Sequence, residues 1–130
     1  MKHIENYAPL IGRILISTIF LMAGASKIPG YEATQGYMQA MGVPGSLLPV
    51  VIATEILGAL AIILGYKTRI AAFLLAGFSI VSAIFFHANF ADQTQSILFM
   101  KNIAITGGFL FLIAQGAGYV SIDNGMPVKE

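Results

Sequence analysis

Four apolar stretches of membrane-spanning length leave this chain few ways to fold. They run roughly from Pro9 to Ile28, Leu47 to Leu64, Ile70 to Phe86 and Ile97 to Ala117, the last interrupted early by Lys101 and Asn102. At about 1.5 Å of rise per helical residue, each is long enough to cross about 30 Å of hydrocarbon. The runs are continuous and do not alternate in polarity, which argues against membrane strands. Of 130 residues, 57% are hydrophobic and 10% are charged, where a soluble domain carries about 25% charged residues. A soluble domain of this size would have nowhere to put its apolar side chains. The expected fold is an all-α, four-helix transmembrane bundle, a single domain over residues 1–130.

The connections punctuate that pattern. Pro29-Gly30 ends the first span, and the polar segment Tyr31 to Gly45 reads as a short interfacial helix closing at Gly42-Val43-Pro44. Residues Gly65 to Arg69 form a tight turn, and His87 to Ser96 joins the third span to the fourth. With the N-terminus inside, the cytoplasmic side holds Lys2, Arg13, Lys67, Arg69 and Lys129, against Lys27 and Lys101 outside. Basic residues favour the cytoplasmic side, so the expected topology is N-in, C-in. Lys2, Arg13 and Ala23-Gly24-Ala25 superficially resemble a cleaved signal peptide. That reading is not expected, because cleavage would leave only three more spans.

Composition and motif search exclude several function classes. Seven Lys and Arg residues and a net charge of +1 offer no basic field for nucleic acid. Without a cysteine there is no disulfide, thiolate metal site or iron–sulfur cluster within the chain. The only histidines, His3 and His87, fall on opposite sides of the expected membrane, so one haem could not take both. No metal-protease, phosphate-loop, nucleophile-elbow or flavin motif is present.

The ionisable residues inside the spans are the candidates for function. Glu55 sits in the middle of PVVIATEILGALAIILG (Pro49 to Gly65). A carboxylate at that depth faces a bundle interior or a watery cavity and needs a partner. Depth along the helices places it about 13 Å from the cytoplasmic boundary, with Arg13 about 6 Å and Lys27 about 27 Å from the same boundary. Arg13 is the nearer in depth, so a buried Arg13–Glu55 pair is expected, either pinning two helices or serving a substrate or proton; the alternative is a Glu55 kept neutral by its burial.

Small and polar residues form stripes at helical spacing: Arg13, Ser17, Phe20, Gly24 and Lys27; Ala72, Ala76, Ser79, Ala83 and His87; Lys101, Ala104, Gly108, Phe111 and Gln115. Ile52, Gly58, Ala59 and Ile62 share the Glu55 face. Membrane helices pack through such residues, which accounts for most of these positions. Near the outer face, Lys27, His87, Lys101 and Asn102 form a candidate ligand-binding group, which alternatively reads as snorkelling lysines and an interfacial histidine. The functional reading is an anionic or carbonyl-bearing ligand. A quinone head group fits, since its oxygens accept hydrogen bonds and its tail prefers lipid; Phe85, Phe86, Phe90 and Phe99 lie close by in sequence.

The segments GRILISTIFLMAGASKIPGY (Gly12–Tyr31), MGVPGSLLPVVIATEILGALAIILGYKTRIAA (Met41–Ala72), FFHANFADQ (Phe85–Gln93) and MKNIAITGGFLFLIAQGAGYVSID (Met100–Asp123) together resemble the bacterial DoxX family. The resemblance covers almost the whole chain and is close to the small inner-membrane members found in enterobacteria. It implies a four-helix protein of the bacterial inner membrane. Family members are named for a thiosulfate:quinone oxidoreductase subunit, and others are associated with oxidative stress or with aromatic and quinone-like compounds. The family has no agreed catalytic residue set, so no active site is carried over. Positions matching its recurrent polar pattern are Arg13, Lys27, Glu55, Arg69, His87, Lys101, Asn102 and Asp123. Two functional expectations follow. One is a quinone-linked redox or detoxification protein. The other is a non-catalytic membrane subunit docking a partner oxidoreductase on its cytoplasmic face, around Arg69 and Asp123. The partners left open are the lipid bilayer, a quinone, an oxidoreductase subunit and further copies of the chain.

Overall fold

A computed structural model describes residues 2–125. Five α-helices follow in order: α1 (Lys2–Lys27), α2 (Tyr31–Ala40), α3 (Leu48–Leu64), α4 (Thr68–Phe86) and α5 (Gln93–Gln115). A single 3-10 turn, Gly45–Leu47, leads into α3, and the described residues contain no strand. α1, α4, α5 and the stretch Gly45–Leu64 are long and apolar enough to span a membrane. The fold is thus an all-α bundle of four spans, with the short α2 added where the polar loop lies.

Local chemistry sets the boundaries. α3 ends in a Schellman motif: Gly65 is left-handed (φ 71°), Tyr66 N–H donates to Ala61 O and Gly65 N–H to Ile62 O. Asp92 caps α5 by accepting from Thr94 N–H. α1 starts at Lys2 and carries Pro9 inside it.

α1 packs most closely on α3, and α4 on α5; α3 against α4 joins the two pairs. The core cluster contains Phe20, Ala59, Ile62, Ala72, Leu75, Ala76 and Phe109. Phe20 meets Phe109 at 5.6 Å and Phe78 at 6.4 Å between ring centroids, so α1 also touches α5 and α4. At Gly24 a Cβ would stand 2.6 Å from Ile56 Cγ1 and 3.1 Å from Glu55 Cβ. Only glycine allows α1 and α3 to approach that closely at this level.

The inward faces of α1 and α4 include the small and polar stripes read from sequence. Arg13, Ser17, Phe20 and Gly24 are the buried residues of α1; Ala72, Ala76, Ser79 and Ala83 are buried in α4. α5 corrects the reading. Lys101, Ala104, Phe111 and Gln115 are exposed, and the one buried residue is Phe109. The inward face carries Asn102, Ile105 and Phe109. One position on a helix is about 100° of rotation, so a stripe started at Lys101 misses this face. α5 buries so little of itself that composition alone could not orient it.

Candidate functional site

The buried polar residues include Arg13, Thr68 and Ser121 toward one end of the bundle, and Ser17, Glu55 and Ser79 within it. At the end holding the N-terminus, the α3–α4 turn leaves several carbonyls without helical partners. Arg13, 1% exposed, reaches across from α1 to supply them. Its Nη1 donates to Ile62 O at 3.1 Å and Ile63 O at 3.2 Å, and its Nη2 donates to Val120 O. The chain after α5 supplies the rest: Ile122 N–H donates to Leu64 O and Asp123 N–H to Gly65 O. The Asp123 carboxylate then turns to α4. It accepts from Lys67 N–H at 2.6 Å and Thr68 N–H at 2.8 Å, placing negative charge where the helix dipole favours it. Burial pushes the Asp123 carboxyl up. The Thr68 and Lys67 N–H donors and the Arg13 charge outweigh that and hold it below the usual carboxylate value.

Arg13 therefore does not pair with Glu55; that expectation is corrected. Glu55, 4% exposed, faces Lys27, with Nζ 2.9 Å from Oε1. The reason is the lean of helical side chains toward their own N-terminus. α1 and α3 run antiparallel. Arg13 leans toward the Lys2 end, away from Glu55, while Lys27 and Glu55 lean toward each other. Gly24 lies level with Glu55, and Lys27 is only one turn beyond it, whereas Arg13 is about 16 Å below.

The Lys27–Glu55 pair lies in a cavity of about 530 Å³ near the α2 end of the bundle. Ala23 and Phe20 of α1, Val51 of α3, Phe78 and Ser79 of α4 and Ile105 of α5 line it, and α2 contributes Thr34, Tyr37 and Met38. Tyr37 stacks on Phe86 of α4 at 5.4 Å between centroids, holding α2 against the bundle. Ile19, Val81 and Phe85 line the cavity and are also exposed on the flank. Part of the lining thus lies on the apolar surface that lipid would cover, and Tyr37 and Leu47 are exposed at the α2 end.

Of the four candidate ligand-binding residues, the structure brings three into this cavity: Lys27, His87 and Asn102. Lys101 is exposed and absent from the lining; its position on the outer side of α5 separates it from Asn102. His87 Nδ1 contacts Gln95 Oε1 at 2.8 Å. That oxygen accepts, so Nδ1 is the donor in this contact. Asn102 Nδ2 donates to Ser79 O at 3.0 Å, tying α5 to α4. Phe85 and Phe86 line the cavity, whereas Phe90 and Phe99 pack on each other elsewhere, 5.0 Å apart. Glu55 joins this group, which sequence depth had placed apart from it. Tyr37 and Met38 were missed; they are neighbours about 100° apart on a helix too short to show a clear stripe.

Arg69 and Asp123 are both exposed and share a shallow groove of about 700 Å³ at the opposite end. Lys129 lies outside the described residues. No group of three or more His, Cys, Asp or Glu among the described residues could hold a metal ion.

Comparison with known proteins agrees with this architecture. The DoxX family model matches residues 8–88. The chain is 50% identical over 124 residues to inner membrane protein YqjF of Escherichia coli (strain K12), covering 95% of each. It is 35% identical over 123 residues to inner membrane protein YphA of the same organism, covering 88% of this chain and 87% of that one. It is 33% identical over 67 residues to CatD of Bacillus subtilis (strain 168), provisionally named an oxidoreductase, covering 52% of this chain and 50% of CatD. No solved structure matches it significantly. Four membrane-length helices and inner-membrane relatives over nearly the whole length make this a multi-pass inner-membrane protein, and the chain belongs to the DoxX family.

Proposed function

We propose that the protein binds a lipophilic ring compound bearing carbonyl or hydroxyl oxygens, a quinone or quinone-like aromatic, and serves redox chemistry or detoxification involving it. The observation that carries this reading is the cavity itself. It is walled by Phe20, Phe78, Phe85, Phe86 and Tyr37, and Lys27, Glu55, His87 and Asn102 are among the polar residues that line it. Apolar walls with a small number of placed polar groups are the general form of a small-molecule site. Lys27 offers N–H donors to a ring carbonyl, and a neutral His87 accepts from a ring hydroxyl through Nε2. A lining that reaches the apolar flank suits a molecule that travels in lipid. The resemblance to CatD, provisionally named an oxidoreductase, is consistent with a redox setting.

The test is purification in native lipid, followed by mass spectrometry of retained small molecules and titration with a short-tailed benzoquinone. Saturable binding weakened by His87→Ala supports the reading. Its absence from wild-type protein that is folded, as judged by circular dichroism, refutes it.

A second reading is supported by the groove that Lys67, Arg69, Gln115 and Asp123 line: a non-catalytic membrane subunit with a soluble oxidoreductase docked there. In the N-in, C-in topology that the basic residues favour, this end faces the cytoplasm. The second reading expects a stoichiometric protein on purification, lost in Arg69→Glu.

A further inference from the structure

The charges facing the cavity balance. Lys27 and Glu55 line it as a contact pair at 2.9 Å. Among the described residues, no other lysine and no arginine, aspartate or glutamate lines it. His87 has its Nδ1–H on Gln95. Asn102 Nδ2 is held by Ser79 O. Arg13 is fixed on carbonyls at the far end. The one lysine an anion would seek is thus neutralised, and the buried arginine is out of reach.

We propose that Glu55 makes the cavity selective for uncharged ligands, by neutralising Lys27 so that carboxylates and other anions are turned away. This rests on the cavity being a ligand site, as proposed above. A carboxylate approaching Lys27 would come within a few ångströms of Glu55 in a low-dielectric setting, where like charges repel strongly. A neutral carbonyl or hydroxyl meets no such penalty. It can accept from a Lys27 N–H that the Glu55 contact leaves free, and a hydroxyl can also donate to Nε2 of a neutral His87. The ligand class is therefore an uncharged, oxygen-bearing ring with an apolar tail. Glu55 is the residue that sets this specificity.

A matched pair of probes tests the idea: 4-decylphenol and 4-decylbenzoate, at a pH of about 8 where the first is neutral and the second ionised. Binding is measured to protein in nanodiscs of zwitterionic lipid. Wild type is expected to prefer the phenol by at least about tenfold, since the benzoate meets a like charge beside its anchor. Glu55→Gln leaves Lys27 unbalanced and reverses the order. The double variant Lys27→Gln, Glu55→Gln restores the preference for the phenol. Should Glu55→Gln fail to fold, Ser82→Lys keeps the pair and adds one unbalanced cation to the wall; benzoate binding then rises. Equal affinities in wild type, or a preference unmoved by both Glu55→Gln and Ser82→Lys, overturn the proposal and leave the cavity reading standing. Binding of neither probe to wild type or any variant refutes the cavity reading and this proposal together.

Discussion

Removing either partner of the Lys27–Glu55 pair should cost far more than removing both. Glu55 has 6% of its side chain exposed and Lys27 25%. Breaking a buried ion pair by deleting one member costs about 3–5 kcal/mol, because the other charge is stranded. Lys27→Met strands the more buried group, so about 3 kcal/mol is expected. Glu55→Leu strands an ammonium that can turn toward the mouth, so about 2 kcal/mol is expected. The double variant places two apolar side chains where the pair was. Its cost should be within about 1 kcal/mol of zero, since apolar replacement of a buried pair is often neutral. The coupling is therefore on the order of 4–5 kcal/mol. Equilibrium unfolding by SDS titration in lipid–detergent micelles, followed by far-UV circular dichroism, measures all four corners. Arg13→Lys with Glu55→Leu is the control, and should add to within about 0.5 kcal/mol, since the two sites share no partner. Additivity of Lys27→Met and Glu55→Leu, or strong coupling of Arg13 with Glu55, would show the pairing to be wrong.

Three further outcomes follow from the same geometry. Gly24→Ala puts a methyl 2.6 Å from Ile56 Cγ1; it should cost about 1–3 kcal/mol by overpacking in the same unfolding titration. Arg13→Lys forfeits the forked contacts to Ile62, Ile63 and Val120 carbonyls. It should cost about 3 kcal/mol from two lost charge-assisted hydrogen bonds, and hydrogen exchange should quicken at Ile122 and Asp123. Asp123→Asn should cost on the order of 1 kcal/mol at neutral pH, a modest value for an exposed carboxylate at a helix start. The folded pKa of Asp123 is depressed, so its contribution is present above the unfolded value and lost as pH falls through the folded one. The stability gap between wild type and Asp123→Asn should accordingly close only below about pH 4, as read by thermal unfolding across pH.

The spans were legible because length and continuous apolarity leave little choice in a bilayer, and the buried stripe of α1 followed from helical spacing alone. The partner of Glu55 was not. Depth counted along helix axes ignores the lean of side chains, which acts in opposite directions on two antiparallel helices. That lean decides between Arg13 and Lys27. The face of α5 was hidden for a different reason. With one buried residue, its small residues are split between the two faces, Gly108 turning toward Ile16 and Ala104 and Ala114 outward, and Lys101 and Asn102 point to different surroundings although adjacent. The capping role of Asp123 depends on a turn more than fifty residues away, which no local pattern reports.

The central claim is that the Lys27–Glu55 cavity takes up an uncharged lipophilic ring from the membrane. The most direct measurement is photo-crosslinking in native membranes with a diazirine-bearing benzoquinone, mapped by peptide mass spectrometry. The account predicts labels on Tyr37, Phe85, Phe86 or the Ile19–Lys27 segment, competed by 4-decylphenol. Labels scattered along the lipid-facing side of α5, at Lys101 and Phe111, and insensitive to competitor would contradict it.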